Sequence, residues 1–352
     1  MANQIVGVCG FTSSGSSAVT DLLHEFSDAQ VLDHCELSFT YYPDGLDDLT
    51  WQLTENYGKH FQSLAIERFR RLMSSRAFFR AVDKKTINQL TDQFLDQIVQ
   101  VKWHGMSAHE RDRLSFFLRR GSVLAMQKAM RAIRIAHAPR VFFSMVGSRI
   151  ELTARPENIY SAAQEFVTNV LAALGRDTEK ITILNQPFCG NNPVKSFRYF
   201  GAPKAIIIDR DPRDLYLFCK HHLRRRGEGM QIAMTSVEDF IAWFRTTRVQ
   251  PDGLRERDDV MFIRFEELLY DYDNAISKIS AFTGVKTHVA KGKYFKPNWS
   301  RSNSQLFRNY PKNAEEIKVI EGELPEFLFP FDEYPDIPAH GEMFFGSQAK
   351  RR

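Results

Sequence analysis

The chain has 352 residues, 43% hydrophobic and 26% charged, with 29 Phe; it can bury a sizeable core and is not an intrinsically disordered chain. Its net charge of +4 and pI of 8.8 suit an anionic small ligand or an acidic glycan, are too weak a bias to argue for nucleic acid, and come with no DNA- or RNA-reading motif. Cys9, Cys35, Cys189 and Cys219 lie far apart, without CxxC or zinc spacing, and no uncharged apolar run reaches the roughly 18 residues needed to cross a membrane.

Residues 4–9 read as a buried, parallel-type strand, 16–26 as a helix and 29–33 as a second short strand. This βαβ opening predicts a parallel sheet with right-handed crossovers. No basic n-region with an apolar h-region precedes the first strand, so a signal peptide is not expected. With thiols of this pattern, the expected location is cytoplasmic. From about 43 to 175 helix-period segments dominate: "LDDLTWQLTENYG", "SLAIERFRRLMSS", "TINQLTDQFLDQIVQV", "GSVLAMQKAMRAIRIAHA" and "PENIYSAAQEFVTNVLAALG". This stretch reads as a helical insertion covering one face of the sheet. Strand signals return at 180–184, 203–209 and 260–265, with helices expected at 212–225, 236–248 and about 272–282, stopping before Gly284. The tail from 286 has many aromatics and Pro297, Pro311, Pro325 and Pro330. No repeat and no linker divides the chain, so residues 1–352 are expected to form one α/β domain, a P-loop-like parallel sheet flanked by helices.

Three segments carry chemistry. "GFTSSGSSA", 10–18, lies between the first strand and helix. Its spacing Gly10-x4-Gly15-x-Ser17 matches the nucleotide-triphosphatase loop, except that Ser16 stands where that loop has lysine. Backbone N–H groups of such a loop and the following helix N-terminus cradle anionic oxygens. Ser13, Ser14, Ser16 and Ser17 add hydroxyls. Without the lysine there is no point charge for a β,γ-phosphate pair, which disfavours magnesium-nucleotide hydrolysis. The same residues also read as a tight turn with a serine cap.

The second segment is "AIIIDRDPRDLYLF", 205–218. A strand ends at Asp209, Asp211 fits an N-cap and Pro212 the first helical turn. Arg210 then stands at the carboxyl end of a parallel strand, where open α/β sheets bind ligands. A guanidinium there suits a phosphate. Read alone, the segment is equally a capped helix with surface ion pairs. The third segment, 260–285, gives a strand, Arg264-Phe265-Glu266-Glu267-Leu268 and an amphipathic helix. By itself it reads as scaffold.

In this order the three segments resemble the sulfotransferase superfamily, and the pattern is most similar to bacterial carbohydrate-type members. Its enzymes move a sulfuryl group from 3′-phosphoadenosine 5′-phosphosulfate (PAPS) to a hydroxyl or amine. The family's first loop, Lys/Arg-Ser/Thr-Gly-Thr/Ser-Thr/Ser, corresponds to Ser13-Ser14-Gly15-Ser16-Ser17 and implies a hold on the 5′-phosphosulfate. Its Arg-Asn/Asp-Pro-x-Asp corresponds to Arg210-Asp211-Pro212-Arg213-Asp214 and implies that Arg210 binds the 3′-phosphate. Its Arg-Tyr-Glu-Asp-Leu segment corresponds to residues 264–268. "NWSRSNSQLFRNYP", 298–311, is similar to the loop that closes over the nucleotide and offers Ser300, Arg301, Asn303 and Arg308. The resemblance covers residues 4–40 and 180–311, not the helical insertion, which is expected to form an acceptor-side cap. It implies PAPS as donor and no metal.

Two departures stand out. The family's loop cation is Ser13 here, and its serine eight residues after the motif arginine is Phe218. A substitute cation is sought in Arg213, in Lys220 or in the 220–226 stretch "KHHLRRR", which also reads as a solvated basic helix end.

Sulfuryl transfer needs a base for the attacking hydroxyl. In the glycan-modifying branch a glutamate after the second strand serves. Glu36 is the best match and His34 the runner-up, with Asp33 beside them. The small-molecule branch uses a histidine where this chain has Gln186, which cannot act as a base at neutral pH. Asn185 and Gln186 are expected to hydrogen-bond sulfuryl or acceptor oxygens. His104 is a distant candidate. Phe39, Tyr41, Tyr42, Trp51 and Trp103 fit sugar stacking or ordinary packing. The expected function is sulfuryl transfer to a carbohydrate or glycan hydroxyl. A P-loop kinase and a non-catalytic nucleotide-binding relative stand as the alternatives.

Overall fold

The computed structural model describes residues 4–34, 36–75, 81–105, 121–122, 124–125, 128–129, 148–223 and 232–334. The expected helix at "GSVLAMQKAMRAIRIAHA", Cys35 and the arginines of "KHHLRRR" lie largely or wholly outside them. Among the described residues there are seven strands: β1 Ile5–Gly10, β2 Ala29–Leu32, β3 Val101–Gly105, β4 Ser148–Leu152, β5 Ile181–Asn185, β6 Lys204–Asp209 and β7 Val260–Arg264. The chain divides into two compact units, one made of residues 1–38 and 175–352, the other of 39–174.

The first unit holds a five-stranded sheet in the order β2-β5-β1-β6-β7, with every pairing parallel. The architecture is the α/β parallel sheet flanked by helices that the sequence predicts. The strands are near-continuous apolar runs, as expected when both faces are covered. Their inward set, including Val6, Val8, Ile181, Ile183, Ile206, Ile208 and Ile263, packs against Val19, Leu22 and Leu23 of the helix Ser16–Leu23 and against Ile279 of the helix Tyr272–Thr283. Gly284, at φ 88°, ends the latter helix as its spacing implies. A second cluster joins the helices Pro212–Phe218, Val237–Thr247 and Ala314–Glu323 through Leu217, Phe240, Phe244 and Ile320.

The helix after β1 is shorter than its periodicity suggests. It stops at Leu23, because Glu25 turns inward. The fully buried Glu25 carboxylate accepts hydrogen bonds from His288 Nε2 at 2.8 Å and from the N–H groups of Gly292, Tyr294 and Phe295 at 3.1, 2.9 and 3.0 Å. One acid thus satisfies four donors of an otherwise irregular segment. The helix expected over 212–225 runs as an α-helix only over Pro212–Phe218 and continues as a π-helical turn, Cys219–Leu223.

The second unit is mainly helical, with helices Leu46–Thr54, Lys59–Met73, Lys84–Ile98 and Ile159–Ala173. It also contains an antiparallel pair, β3 with β4, that the helical periodicity does not announce. Phe69, Phe94 and Phe166 form its aromatic centre, with ring centroids 5.1–5.9 Å apart, and Phe39 meets Phe166 edge-on. Phe39 is therefore a core residue, whereas Tyr42, Trp51 and Trp103 are exposed. Among the described residues no helix is long and apolar enough to cross a membrane.

Candidate functional site

β1 sends its chain through a helix toward β2 on one side of the sheet, and β6 sends its chain toward β7 on the other. Their adjacent carboxyl ends, in register at Gly10 and Ile208, flank the point where the strand order reverses. Open α/β sheets place their ligands there.

The loop after β1 is tightly built. Ser13, at φ 62°, and Gly15, at φ 103°, both take the left-handed region. A Cβ on Gly15 would lie 2.6 Å from the Phe265 ring, and one on Gly10 would lie 2.6 Å from the Ile208 carbonyl oxygen. Both glycines are needed to let this backbone pass. The buried Ser14 hydroxyl is turned into the loop and accepts the Phe11 N–H at 3.0 Å. Ser16 Oγ accepts from Gln186 Nε2 at 3.0 Å, and Ser17 is exposed. The first N–H groups of the helix Ser16–Leu23 have no intrahelical acceptor, and no acidic side chain occupies its first turn. The helix dipole adds positive potential at the same place.

Arg210 leaves the end of β6 and is 2% exposed. Its guanidinium lies near the rings of Phe218 and Phe265, 5.2 and 5.3 Å from their centroids. Nη2 donates to the Asn303 carbonyl, while Nε, also buried, has no hydrogen-bond partner. Three arginines of neighbouring segments, Arg213 and Arg248 buried and Arg264 half-buried, each have a carboxylate. Arg213 pairs with Asp211 and Glu321, both at 2.9 Å; Arg248 with Asp209 at 2.9 Å; Arg264 with Glu266 at 3.5 Å. Arg210 has no carboxylate within ion-pairing distance among the described residues. It makes no ion pair, although the buried Asp214 carboxyl is near enough to interact with it electrostatically, and a buried charge without a paired partner is costly.

The surrounding carboxylates are structural. Asp211 caps the helix Pro212–Phe218 by accepting the Arg213 N–H at 2.9 Å, as its position predicts. Asp214 accepts the N–H groups of Gln305 and Leu306, both at 2.7 Å. Burial, with Asp211 close by, pushes the Asp214 carboxyl well above the usual carboxylate range. Burial raises Glu266 too.

The segment 297–308 meets Arg210 through Asn303, whose buried Oδ1 has no hydrogen-bond partner. Arg301 donates Nε and Nη2 to the Leu269 carbonyl at 3.0 and 2.8 Å, and its guanidinium lies 5.4 Å from the Tyr270 ring centroid. Ser300 is half-buried at the end of the short helix Pro297–Ser300. Arg308 faces the Phe331 carbonyl and Asp332.

Glu36 and His34 are both exposed, on the segment following β2. Asp33 is held by His24 Nε2 at 3.1 Å. The Leu37 N–H donates to the Asn185 carbonyl at 2.9 Å, which draws the segment to the carboxyl end of β5. Gln186, at φ 52°, follows there and contacts Ser16. His104 lies in β3 of the second unit. Of the candidates for a substitute loop cation, Arg213 is committed to Asp211 and Glu321, and Lys220 to both oxygens of Glu316 at 2.6 Å.

Two participants have no sequence signal. Arg248, directly after a helix, looks like an ordinary helix-end cation, yet it is buried against Phe11 and Asp209. Glu25 looks like one more polar residue of an amphipathic helix.

No protein-family model matches the sequence, and no curated protein matches it. Among solved structures, a sulfotransferase from Mycobacterium avium, STF9, is 13% identical with a TM-score of 0.38, over 97% of this chain and 79% of that one. A sulfotransferase from Alicyclobacillus acidocaldarius is 13% identical with a TM-score of 0.36, over 92% and 96%. A retinol dehydratase in complex with androsterone and the inactive cofactor PAP is 13% identical with a TM-score of 0.35, over 96% and 84%. Likenesses of this size carry no argument about chemistry.

Proposed function

We propose that this chain transfers the sulfuryl group of PAPS to a hydroxyl of a carbohydrate or glycan acceptor. The observation that carries the reading is Arg210, a buried guanidinium with no carboxylate partner and an unspent Nε donor, beside a glycine loop at the switch point of the sheet. Such a group is stable in a folded protein when an anion completes it. The motif order that resembles the sulfotransferases says which anion.

In this reading the amides of Gly15, Ser16 and Ser17 hold the 5′ end of the donor, with Ser13 and the Ser16 hydroxyl beside them. Ser14 shapes the loop from within. Arg210 takes the 3′-phosphate through Nε, and Arg301 and Ser300 close over the nucleotide. The donor supplies the activated sulfuryl group. Glu36 accepts the proton of the attacking hydroxyl as the new oxygen–sulfur bond forms and the bond from sulfur to the phosphate oxygen breaks. His34 is the alternative base. The leaving group is 3′-phosphoadenosine 5′-phosphate. Donors aimed at the sulfuryl oxygens contribute most to such a step, and Gln186, tied to Ser16, stands among them. The reading calls for no metal.

The test is a calorimetric titration with 3′-phosphoadenosine 5′-phosphate, set against ATP with magnesium. Binding of the first and indifference to the second is expected. A magnesium-dependent ATP response without binding of the 3′,5′-bisphosphate overturns the reading in favour of a kinase.

A further inference from the structure

Asp209 ends β6, and its carboxylate serves both anchors of the site. Oδ1 accepts the Arg210 N–H at 2.8 Å and Arg248 Nη2 at 2.9 Å, while Oδ2 accepts Arg248 Nε at 3.0 Å. Arg248 follows the helix Val237–Thr247 and is 7% exposed. Its remaining amine, Nη1, donates to Thr247 Oγ1 at 3.0 Å and meets the Phe244 carbonyl at 3.5 Å. The guanidinium plane is clasped by rings: Phe244 at 3.5 Å, Trp243 at 5.7 Å and, from the first loop, Phe11 at 4.4 Å. One rigid group therefore touches the first loop through Phe11 and the Arg210 main chain through Asp209.

A buried ion pair is weak evidence for stability, since an apolar replacement often serves as well. What it provides is geometry. A bidentate guanidinium–carboxylate pair fixes direction as well as distance, and a lysine does not reproduce it. Here that geometry sets where Phe11 and Arg210 stand relative to each other. Two subsites at a fixed separation favour a ligand whose two anionic groups have that separation. A ligand with one anion is indifferent to it.

We infer that Arg248, acting with Asp209, is a positioning residue that sets the spacing between the first loop and Arg210, and so makes the site select a ligand with two anionic ends. The inference rests on the proposed donor, whose 5′ and 3′ groups are the two ends. It adds the residue that makes the site bidentate toward them.

The experiment measures the affinities of 3′-phosphoadenosine 5′-phosphate, adenosine 5′-phosphate and adenosine 3′-phosphate for wild type, Arg248→Lys and Phe11→Leu, with thermal melts to check folding. The wild type should prefer the bisphosphate over either monophosphate. In Arg248→Lys that preference should fall by about tenfold, a coupling typical of residues in one network, while each monophosphate binds nearly as before. A general loosening of the fold weakens all three ligands alike and overturns the inference. So does a folded Arg248→Lys that keeps the full preference. If that variant does not fold, Phe11→Leu, which keeps apolar volume but removes the ring face, decides by the same ratio. A wild type with no preference for the bisphosphate overturns the donor reading itself, which separates the two failures.

Discussion

The Phe218 ring centroid lies 5.2 Å from the Arg210 guanidinium, and the Phe265 ring centroid lies 5.3 Å from the same group. Phe218 thus meets the Arg210 guanidinium through an aromatic face. Cation–ring contacts of this kind contribute about 0.5–2 kcal/mol each and orient the planar group.

Replacing Arg210 by alanine removes the charge that completes the proposed 3′-phosphate subsite. Affinity for 3′-phosphoadenosine 5′-phosphate should drop by about 10- to 150-fold, the equivalent of about 1.5–3 kcal/mol for a hydrogen bond to a charged group. Arg210→Lys should recover little, because an ammonium neither packs on aromatic rings as a plane nor presents Nε. Calorimetry on both variants checks this, and wild-type affinity in Arg210→Ala removes the residue from the site.

Gly15→Ala tests the loop. Its left-handed φ of 103° and the 2.6 Å approach to Phe265 act together. The backbone strain alone should cost about 1–3 kcal/mol, read as a lowered denaturation midpoint. Shortening the ring in Gly15→Ala/Phe265→Leu should recover only the steric share.

Glu36→Gln should leave nucleotide affinity unchanged and lower kcat by about 10²- to 10⁴-fold, the usual contribution of a general base. His34→Asn should have a much smaller effect. The readout is nucleotide release under saturating donor with a carbohydrate acceptor. The reverse ranking transfers the role to His34.

Asp214 predicts a pH dependence. Burial raises its carboxyl in the folded state, so the folded chain holds this proton more tightly than the unfolded chain. Its contribution to stability is intact below the unfolded value of about 3.9 and is lost as pH rises through the folded value. Asp214→Asn should carry a constant penalty for one lost acceptor but lack that slope. Its melting temperature should therefore gain on wild type as pH rises above about 4. A difference independent of pH counts against the raised carboxyl.

Much of this was legible in the residues. "AIIID" and "KITIL" are β-branched runs bounded by proline, glycine or charge, and their strands fall within a residue or two of expectation. Asp211 and Gly284 were readable because capping is a local matter. The β3–β4 pair was not: "VKWHG" is short, charged and exposed, and only its partner 47 residues later makes it a strand. Glu25 and Arg248 were illegible for the same reason. Their roles depend on His288 and on Asp209 with Phe11, none of which is near them in the chain.

The strand order has a consequence for how the chain is made. β1 and β2 are synthesised first but do not pair with each other; both wait for β5, and β1 also for β6. Residues 39–174, by contrast, are contiguous and have their own internal contacts. On a ribosome, where domains fold as they emerge, the middle of this polypeptide is complete before its beginning can be. The central strand of the sheet is the first to be translated and among the last to be satisfied, and such long-range closure makes for slow folding.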